Sequence, residues 1–222
     1  MNVRESLLYG LVILSVPAAW TQPHPGAPPV VTRSCSGCHG MDGNPQLPYV
    51  PRLSGLKAPY LESRLSTYRS AGAAPVDEAF ARAAGLGKAK GSDEITAAAK
   101  VQMAGVASAI SEKEVKEAAE WFSGQKPGPG KAATGSGLEE GRKLYAEGDK
   151  AQGIVACQSC HGAEAQGSDF APRLAGQSAA YVVDQLALFR AGGRRNAAGM
   201  AGIARALQPD QARAVAQYLQ AR

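Results

Sequence analysis

The sequence is poor in the residues that commonly build redox, metal or disulfide sites: four cysteines, three histidines and four methionines among 222 residues. Aromatic residues make up only 6% of the chain, and no run alternates between apolar and polar residues as a half-buried strand does. The 24 Lys and Arg and the 19 Asp and Glu are spread without a basic stripe. These shortages argue against a β-sheet protein and against nucleic-acid binding.

A long hydrophobic run is also missing. The first twenty residues hold an apolar run of about ten residues, Leu7 to Val16, between Arg4 and Pro17-Ala18-Ala19. A bilayer span needs about twenty apolar residues, so residues 1–20 are predicted to be a secretory signal peptide. An uncleaved N-terminal anchor is the alternative. No later segment is apolar for long enough to cross a membrane.

All four cysteines lie in two copies of one motif, Cys35-Ser36-Gly37-Cys38-His39 and Cys157-Gln158-Ser159-Cys160-His161. Covalent attachment of c-type haem requires this pattern, because each thiol adds to one vinyl group and the adjacent histidine bonds the iron. A zinc site, a pair of disulfides or a thioredoxin-type dithiol gives no reason for a histidine behind both cysteine pairs. We therefore predict two covalent haem c groups, with His39 and His161 as iron ligands.

The two motifs belong to an internal repeat. Pro51-Arg52-Leu53-Ser54-Gly55 corresponds to Pro172-Arg173-Leu174-Ala175-Gly176, and Met103-Ala104-Gly105 corresponds to Met200-Ala201-Gly202. The predicted organisation is a first domain at 21–123 with an insertion at 73–102, a Pro/Gly-rich linker at 124–137 and a second domain at 138–222. Surface ornament, partner docking and haem shielding are the alternatives for the insertion.

Helical periodicity dominates both halves, so the fold class is predicted as all-α. Apolar residues recur at helical spacing in 60–68 and 181–189, and helices are expected to begin at Ser111 and Pro209. A further helix at 138–147 precedes the second haem motif. Its counterpart is missing, because the lead-in 21–34 is rich in proline and is predicted to be extended. The insertion, with short helices expected at 77–84 and 93–101, is a candidate to fill that place.

The second axial ligand of each iron is predicted from the methionines. Met1 leaves with the signal peptide, and Met41 lies only two residues beyond His39. Met103 and Met200 remain, and they coincide in the repeat. A thioether ligand favours ferrous iron and leaves no open position on the metal. We therefore expect outer-sphere electron transfer rather than enzymatic activity.

Four further residues are predicted to support the haems. The carbonyls of Pro51 and Pro172 are expected to accept the ring N–H of the two haem-motif histidines, besides forming turns. Arg52 and Arg173 are expected to pair with haem propionates, with exposed side chains as the alternative. The lead-in histidine is predicted to be solvated, and four aromatic residues are predicted to be packing groups: His24, and Tyr60, Trp121, Tyr181 and Tyr218.

With the two haem motifs, the matched methionines, the Pro-Arg-Leu-x-Gly segments and the linker, the chain resembles the dihaem cytochromes of the cytochrome c4 family. The resemblance implies two tandem class I cytochrome c folds, covalent haem at Cys35, Cys38, Cys157 and Cys160, and a periplasmic or membrane-associated electron carrier. Expected partners are a donor dehydrogenase or quinol-oxidising complex and an acceptor oxidase or reductase of a respiratory chain. The net charge of +5 suits docking to an acidic partner or peripheral membrane association.

Two other functions share parts of this pattern. The first is the cytochrome subunit of a dehydrogenase complex such as flavocytochrome c, in which the haems take electrons from a bound catalytic chain. The second is a dihaem peroxidase, which needs one iron with an open coordination position.

Overall fold

The computed structural model describes residues 24–47, 49–70, 77–85, 92–132, 137–194 and 197–222. The predicted signal peptide lies outside these ranges. Within them the regular structure is helical, apart from an isolated antiparallel bridge between Asp149 and Ile154, which confirms the all-α prediction. None of the described helices combines the length and the apolar content that a membrane span needs.

The helices of the first half are α1 (Ser36–His39), which follows a π-helical turn (Val31–Cys35), α2 (Ala58–Ser70), α3 (Glu78–Ala83), α4 (Ser92–Ala109) and α5 (Glu112–Ser123). The helices of the second half are α6 (Leu138–Glu147), α7 (Gln158–His161), α8 (Ala179–Arg190), α9 (Ala198–Ala206) and α10 (Pro209–Ala221). In the repeat α1, α2, α4 and α5 correspond to α7, α8, α9 and α10. Helices α3 and α6 have no counterpart among the described residues.

Two helices begin where their sequence signals predict. The Ser111 hydroxyl accepts the backbone N–H of Glu114, and the Glu114 carboxylate accepts the backbone N–H of Ser111, so a capping box begins α5. The hydrogen bond from the Ser111 backbone, with Arg33 as a further donor, lowers the pKa of Glu114 to about 2. Pro209 begins α10, where its missing N–H costs no hydrogen bond.

The core of the second half forms where α6 crosses α10. At the crossing Gly141 has no room for a side chain, because a Cβ there would lie 2.1 Å from the Ala214 carbonyl oxygen. Tyr145 of α6 and Leu219 of α10 are buried in the same apolar cluster. The Tyr145 hydroxyl donates to the Gly162 carbonyl at 2.6 Å, which ties the crossing to the segment just after the second haem motif.

The first half covers α5 with its lead-in rather than with a helix like α6. The prediction of an extended lead-in is wrong beyond residue 28, since the chain turns helical at Pro29 and runs through the π-helical turn into α1. Proline is tolerated there because the first turn of a helix leaves its N–H groups unbonded. Val30 and Val31 are fully buried and pack in one cluster with Val115 and Phe122 of α5.

The first helix of the insertion, α3, packs on the second half and does not fill the place of the missing helix. Phe80 and Ala84 are buried in the apolar cluster of the second half, against α8 and α10. The Asp77 carboxylate caps α3 and pairs with Arg190 of α8 at 3.0 Å. The guanidinium of Arg190 also lies over the ring of Phe80, 4.9 Å from its centroid. Helix α3 is therefore anchored to the second half through Phe80 and Ala84 and is not a surface ornament.

The second helix of the insertion is longer than predicted. Residues 93–101 were expected to form a short separate helix, whereas α4 runs from Ser92 to Ala109 without a break and includes Met103. The alanines of this segment favour helix strongly, and the glycine at 105 is tolerated at a cost of about 1 kcal/mol. The insertion therefore extends the methionine-bearing helix toward its N-terminus.

Phe80→Ala is expected to lower the free energy of unfolding of the second half by about 3 kcal/mol or more, because it opens a cavity in a packed core. Chemical denaturation of the haem-loaded protein, followed by circular dichroism, measures the change. Val101→Ala is the matched control on α4, since its side chain is 74% exposed, and it should change stability by no more than about 0.5 kcal/mol. Equal effects of the two substitutions would contradict the buried role of α3.

Hydrogen bonds across the chain also hold the halves together. The backbone N–H of Arg52 donates to the Gln177 side-chain oxygen at 2.9 Å, and the Gln177 amide donates back to the Arg52 carbonyl at 3.1 Å. The Arg52 guanidinium donates to the carbonyls of Gly128 and Pro129 at 2.8 and 3.0 Å. The described part of the linker is thus fixed against both halves and is not a loose tether.

Candidate haem-binding cavity

A cavity of about 860 Å³ lies between the two halves and is lined by residues of both haem motifs. Its size falls in the range of cofactor and ligand sites, and most of its wall is apolar. Cys35, Cys157 and Cys160 line it, whereas Cys38 lies at the exposed surface. Residues of both halves therefore line one continuous cavity.

No disulfide bond joins any of the four cysteines, all of which lie in the described residues. Burial raises the pKa of Cys35 and of Cys157 to about 11, while Cys38 and Cys160 are exposed. No three His, Cys, Asp or Glu side chains of the described residues converge as the ligands of a metal ion would. A haem iron needs only two ligands from the protein, because the porphyrin supplies the other four.

Both motif histidines are buried and oriented by a proline carbonyl. Nδ1 of His39 lies 3.0 Å from the Pro51 oxygen, and Nδ1 of His161 lies 2.9 Å from the Pro172 oxygen. Because a carbonyl only accepts, Nδ1 must carry the proton, and Nε2 is left with a free lone pair. Burial lowers the pKa of both rings, and the weaker opposing influence is the proline hydrogen bond. Each ring is thus a neutral imidazole prepared to bind a metal through Nε2.

A glycine directly after each histidine ends the short motif helix. Gly40 and Gly162 have φ angles of 76° and 83°, a conformation that residues with a side chain rarely adopt. The chain therefore turns away from the motif at once, and α1 and α7 stop at the histidine.

Met103 and Met200 line the same cavity as the two histidines. Met103 lies on α4, which packs on α2, and Met200 lies on α9, which packs on α8. Both side chains are partly buried. Met41, by contrast, packs against the core of the first half, and its carbonyl accepts the Trp121 indole N–H at 2.8 Å. The structure thus gathers one histidine and one equivalent methionine from each half.

The two predicted propionate partners have different surroundings. Arg52 is buried, and both terminal nitrogens of its guanidinium are bonded to linker carbonyls, so it joins the halves, a role that the sequence did not predict. Arg173 lines the cavity, and its buried Nε–H has no hydrogen-bond partner among the described residues. Of the two arginines, Arg173 is the one with an unused donor at the cavity.

Two further arginines, which the sequence did not point to, also have a buried N–H donor without a partner at the cavity in the described structure. Arg64 on α2 and Arg194 after α8 line the cavity, are 8% and 7% exposed, and each keep a buried N–H without a partner in the described structure. An unpaired buried donor costs about 1–3 kcal/mol, and more when it is charged. Apolar walls with unpaired guanidinium donors fit a haem, which has an apolar ring and two anionic propionates. A charged residue among the apolar positions of α2 was the available signal for Arg64.

The remaining candidates lie away from the ligand positions or serve packing. His24 is exposed. Tyr181 is largely buried, and burial raises its pKa. The ring of Tyr218 lies 5.5 Å from that of Tyr145 at the crossing of α6 and α10. The aromatic residues therefore contribute mainly to the walls and cores around the cavity.

Comparison with known proteins supports a cytochrome c fold and haem as the cofactor. The cytochrome c family model matches residues 138–222. The chain is 32% identical over 191 residues to cytochrome c4 of Stutzerimonas stutzeri, covering 84% of this chain and 83% of the relative. It is 33% identical over 219 residues to the thiosulfate dehydrogenase electron acceptor of Thiomonas intermedia, covering 96% and 87%. The crystal structure of reduced cytochrome c4 from Pseudomonas stutzeri superposes with a TM-score of 0.68 at 32% identity, covering 85% of this chain and 93% of that one.

These similarities confirm two class I cytochrome c folds and two haem c groups, one for each motif. Cytochrome c4 proteins carry electrons, and the cytochrome subunit of a flavocytochrome is not the function that the comparisons favour. Because the similarity extends over most of each chain rather than over the haem motifs alone, the protein belongs to the cytochrome c4 family and is a dihaem cytochrome that transfers electrons.

Proposed function

We propose that this protein is an exported electron carrier in which His39 and Met103 ligate one haem iron and His161 and Met200 ligate the other. The observation that carries the proposal is that all four side chains line one cavity from equivalent positions of the repeat. Haem bound there supplies one-electron redox chemistry. The neutral thioether ligands raise the reduction potential and favour an acceptor role toward low-potential donors.

The residues around the haem sites determine whether oxygen or peroxide can reach the iron. Most of the cavity wall is apolar, and the proline carbonyls hold each histidine ring in one orientation and one tautomer. A methionine on the opposite face would leave no coordination position for oxygen or peroxide. This supports a carrier without catalytic activity of its own, and it speaks against a dihaem peroxidase.

The donor is proposed to be a dehydrogenase that oxidises thiosulfate. The relative from Thiomonas intermedia, a thiosulfate dehydrogenase electron acceptor, matches 96% of this chain, whereas cytochrome c4 of Stutzerimonas stutzeri matches 84%. A quinol-oxidising complex is the donor that the respiratory alternative requires, with a terminal oxidase or reductase as acceptor in either case. The net charge of +5 favours an acidic docking surface on the partner.

The location is proposed to be the periplasm, with peripheral attachment to the membrane. The apolar run in residues 1–20 and the thioether chemistry of both motifs support export. Cell fractionation with N-terminal sequencing of the mature protein tests this. A mature chain that begins near residue 20 and separates with the periplasmic fraction is expected, whereas an intact N-terminus in the membrane fraction would show an uncleaved anchor.

Mixing the oxidised protein with thiosulfate dehydrogenase and thiosulfate is expected to reduce both haems within milliseconds to seconds. The measurement is stopped-flow absorbance of the haem bands. Reactions without thiosulfate or without dehydrogenase are the controls, and the rate should fall as salt is added, because opposite charges steer the encounter. Reduction by a quinol-oxidising complex, with none by the dehydrogenase, would assign the protein to the respiratory alternative.

A further inference from the structure

Charged and aromatic side chains from both halves meet in the middle of the shared cavity. Helix α2 contributes Tyr60, Arg64 and Tyr68, and the second half contributes Tyr181 and Arg194. The guanidinium of Arg64 lies 5.1 Å from the ring centroid of Tyr68. Burial raises the pKa of Tyr181, with Tyr60 and Tyr68 acting in the same direction and the two arginines acting against it. These five side chains are therefore close enough to influence one another's charge.

The lining of this cavity carries more positive than negative charge. Its Lys, Arg, Asp and Glu residues in the described part of the chain are Lys57, Arg64, Arg173, Arg194, Asp169 and Asp184. Lys57 and Asp169 form an ion pair with each other. Three arginines then face a single carboxylate, and each of the three retains a buried N–H without a partner in the described structure. Such an excess of buried positive charge calls for an anionic ligand.

The repeat shows that the two halves obtain this charge differently. Arg64 occupies the position on α2 that Gln185 occupies on α8. In the second half the charge comes from Arg194, which donates to the Gln185 side-chain oxygen at 2.8 Å and lies 4.2 Å from the centroid of the Phe189 ring. The first half instead carries the guanidinium directly on α2. Because the first half has an arginine where the second half has a glutamine, Arg64 is the candidate for an effect specific to the first-half haem.

The propionate carboxylates of haem are the anionic groups that these arginines would bind. The vinyl groups and the propionates of haem occupy opposite edges of the ring, and the thioether bonds fix the vinyl edge at the motif cysteines. Two of these, Cys38 and Cys160, are exposed, whereas Arg64 and Arg194 are buried. A haem attached at these cysteines would direct its carboxylate edge away from them, toward the unpaired guanidinium donors of the cavity.

We propose that Arg64 binds a propionate of the first-half haem and that its buried charge raises the reduction potential of that haem above the value the axial ligands alone would give. Reduction removes one positive charge from the iron, so a nearby cation in a medium of low dielectric constant favours the reduced form. The inference rests on the proposed electron-carrier function, and Arg64 acts as a positioning and tuning residue rather than as an iron ligand.

Arg64→Gln is the direct test, because it places in the first half the residue that the second half has at the equivalent position. A redox titration of the haem-loaded protein, followed by absorbance, resolves the two potentials. The equilibrium constant for reducing the first-half haem is expected to fall at least about tenfold, which corresponds to about 59 mV for a one-electron couple. The second-half potential should shift less. The first-half haem is identified as the one whose potential Met103→Ala changes.

Two further variants separate charge from structure. Lys113→Gln removes the same charge from the surface of α5, where the side chain is 86% exposed, and should leave both potentials unchanged. Arg64→Lys keeps the charge and should restore most of the potential lost in Arg64→Gln. Lysine has the same charge as arginine but a different shape. A potential restored by Arg64→Lys would therefore show that the charge of Arg64, rather than its packing, sets the potential.

The outcomes distinguish this inference from the proposed function. Unchanged potentials in Arg64→Gln, with two covalent haems and both methionine ligation bands retained, would overturn the role of Arg64 and leave electron transfer standing. A decrease confined to the second-half haem would overturn it as well. If Arg64→Gln fails to accumulate as a two-haem protein, Arg64→Lys decides: a first-half potential close to wild type supports the proposal, and a potential at least about tenfold less favourable for reduction refutes it.

Discussion

Met103→Ala or Met200→Ala is expected to free an axial coordination position on one of the two irons and to lower the reduction potential of that haem. The thioether is a neutral, soft ligand that favours ferrous iron, so its loss removes the stabilisation of the reduced state and frees a coordination position. Each variant should lose about half of the methionine-to-iron charge-transfer absorbance, and its ferrous form should bind about one equivalent of carbon monoxide. A redox titration and a carbon monoxide titration measure the two effects.

Met41→Ala is the matched control for these substitutions. Met41 lies near the first haem motif in the sequence, yet its side chain packs against the core of the first half, and only its backbone carbonyl accepts the Trp121 indole. Its replacement should leave both charge-transfer bands in place. A spectrum unchanged by Met103→Ala or by Met200→Ala would mean that the corresponding ligand is a different residue.

The double substitution Cys157→Ala with Cys160→Ala is expected to yield a protein with one haem. Thioether formation needs the thiols, and without it the second-half haem is held only by its axial ligands and apolar contacts. The mass of the mature protein should fall by about one haem group, and the second half should lose thermal stability because an apolar space is left unfilled. The first-half haem should remain, since the lead-in, α2 and α5 pack in an apolar cluster separate from that of the second half.

Ser159→Ala is the control within the same motif, because Ser159 lies between the two cysteines and its exposed hydroxyl bonds only to its own turn. It should retain both haems. Mass spectrometry and pyridine haemochrome absorbance count the haems in each variant. Wild-type protein with the mass of the bare polypeptide, or a double variant with two covalent haems, would contradict the covalent assignment.

Helix α3 and the Arg52 contacts suggest why the halves behave as one molecule. Phe80, in the insertion of the first half, completes the core of the second half, and Arg52 binds both Gln177 and the linker. Both connections lie beside the shared cavity or on the helices that form it. They fix the separation of the two haem sites, and outer-sphere transfer between haems depends on that separation. Changes to these contacts are therefore expected to alter the rate of electron transfer between the haems.

The sequence alone determined the chemistry of this protein. A covalent haem motif is local, since the thiols and the histidine must be neighbours in the chain, and so both motifs could be read directly. Helical periodicity and capping signals are also local, and they predicted α2, α5, α6, α8 and α10 closely. The repeat then selected Met103 and Met200 from four methionines, and the structure places both at the cavity.

Only the tertiary structure decided which distant residues meet. Asp77 pairs with Arg190 across 113 positions, and Arg52 bonds Gln177 across 125, so no spacing rule points to either contact. The burial of Arg64 was not predicted, although it lies among the apolar positions of α2, because an arginine on a helix usually lies in solvent. The lead-in turned helical because burial of Val30 and Val31 against α5 outweighed the proline-rich composition. Local covalent and helical rules fixed the parts, and packing between remote segments fixed their arrangement around the haems.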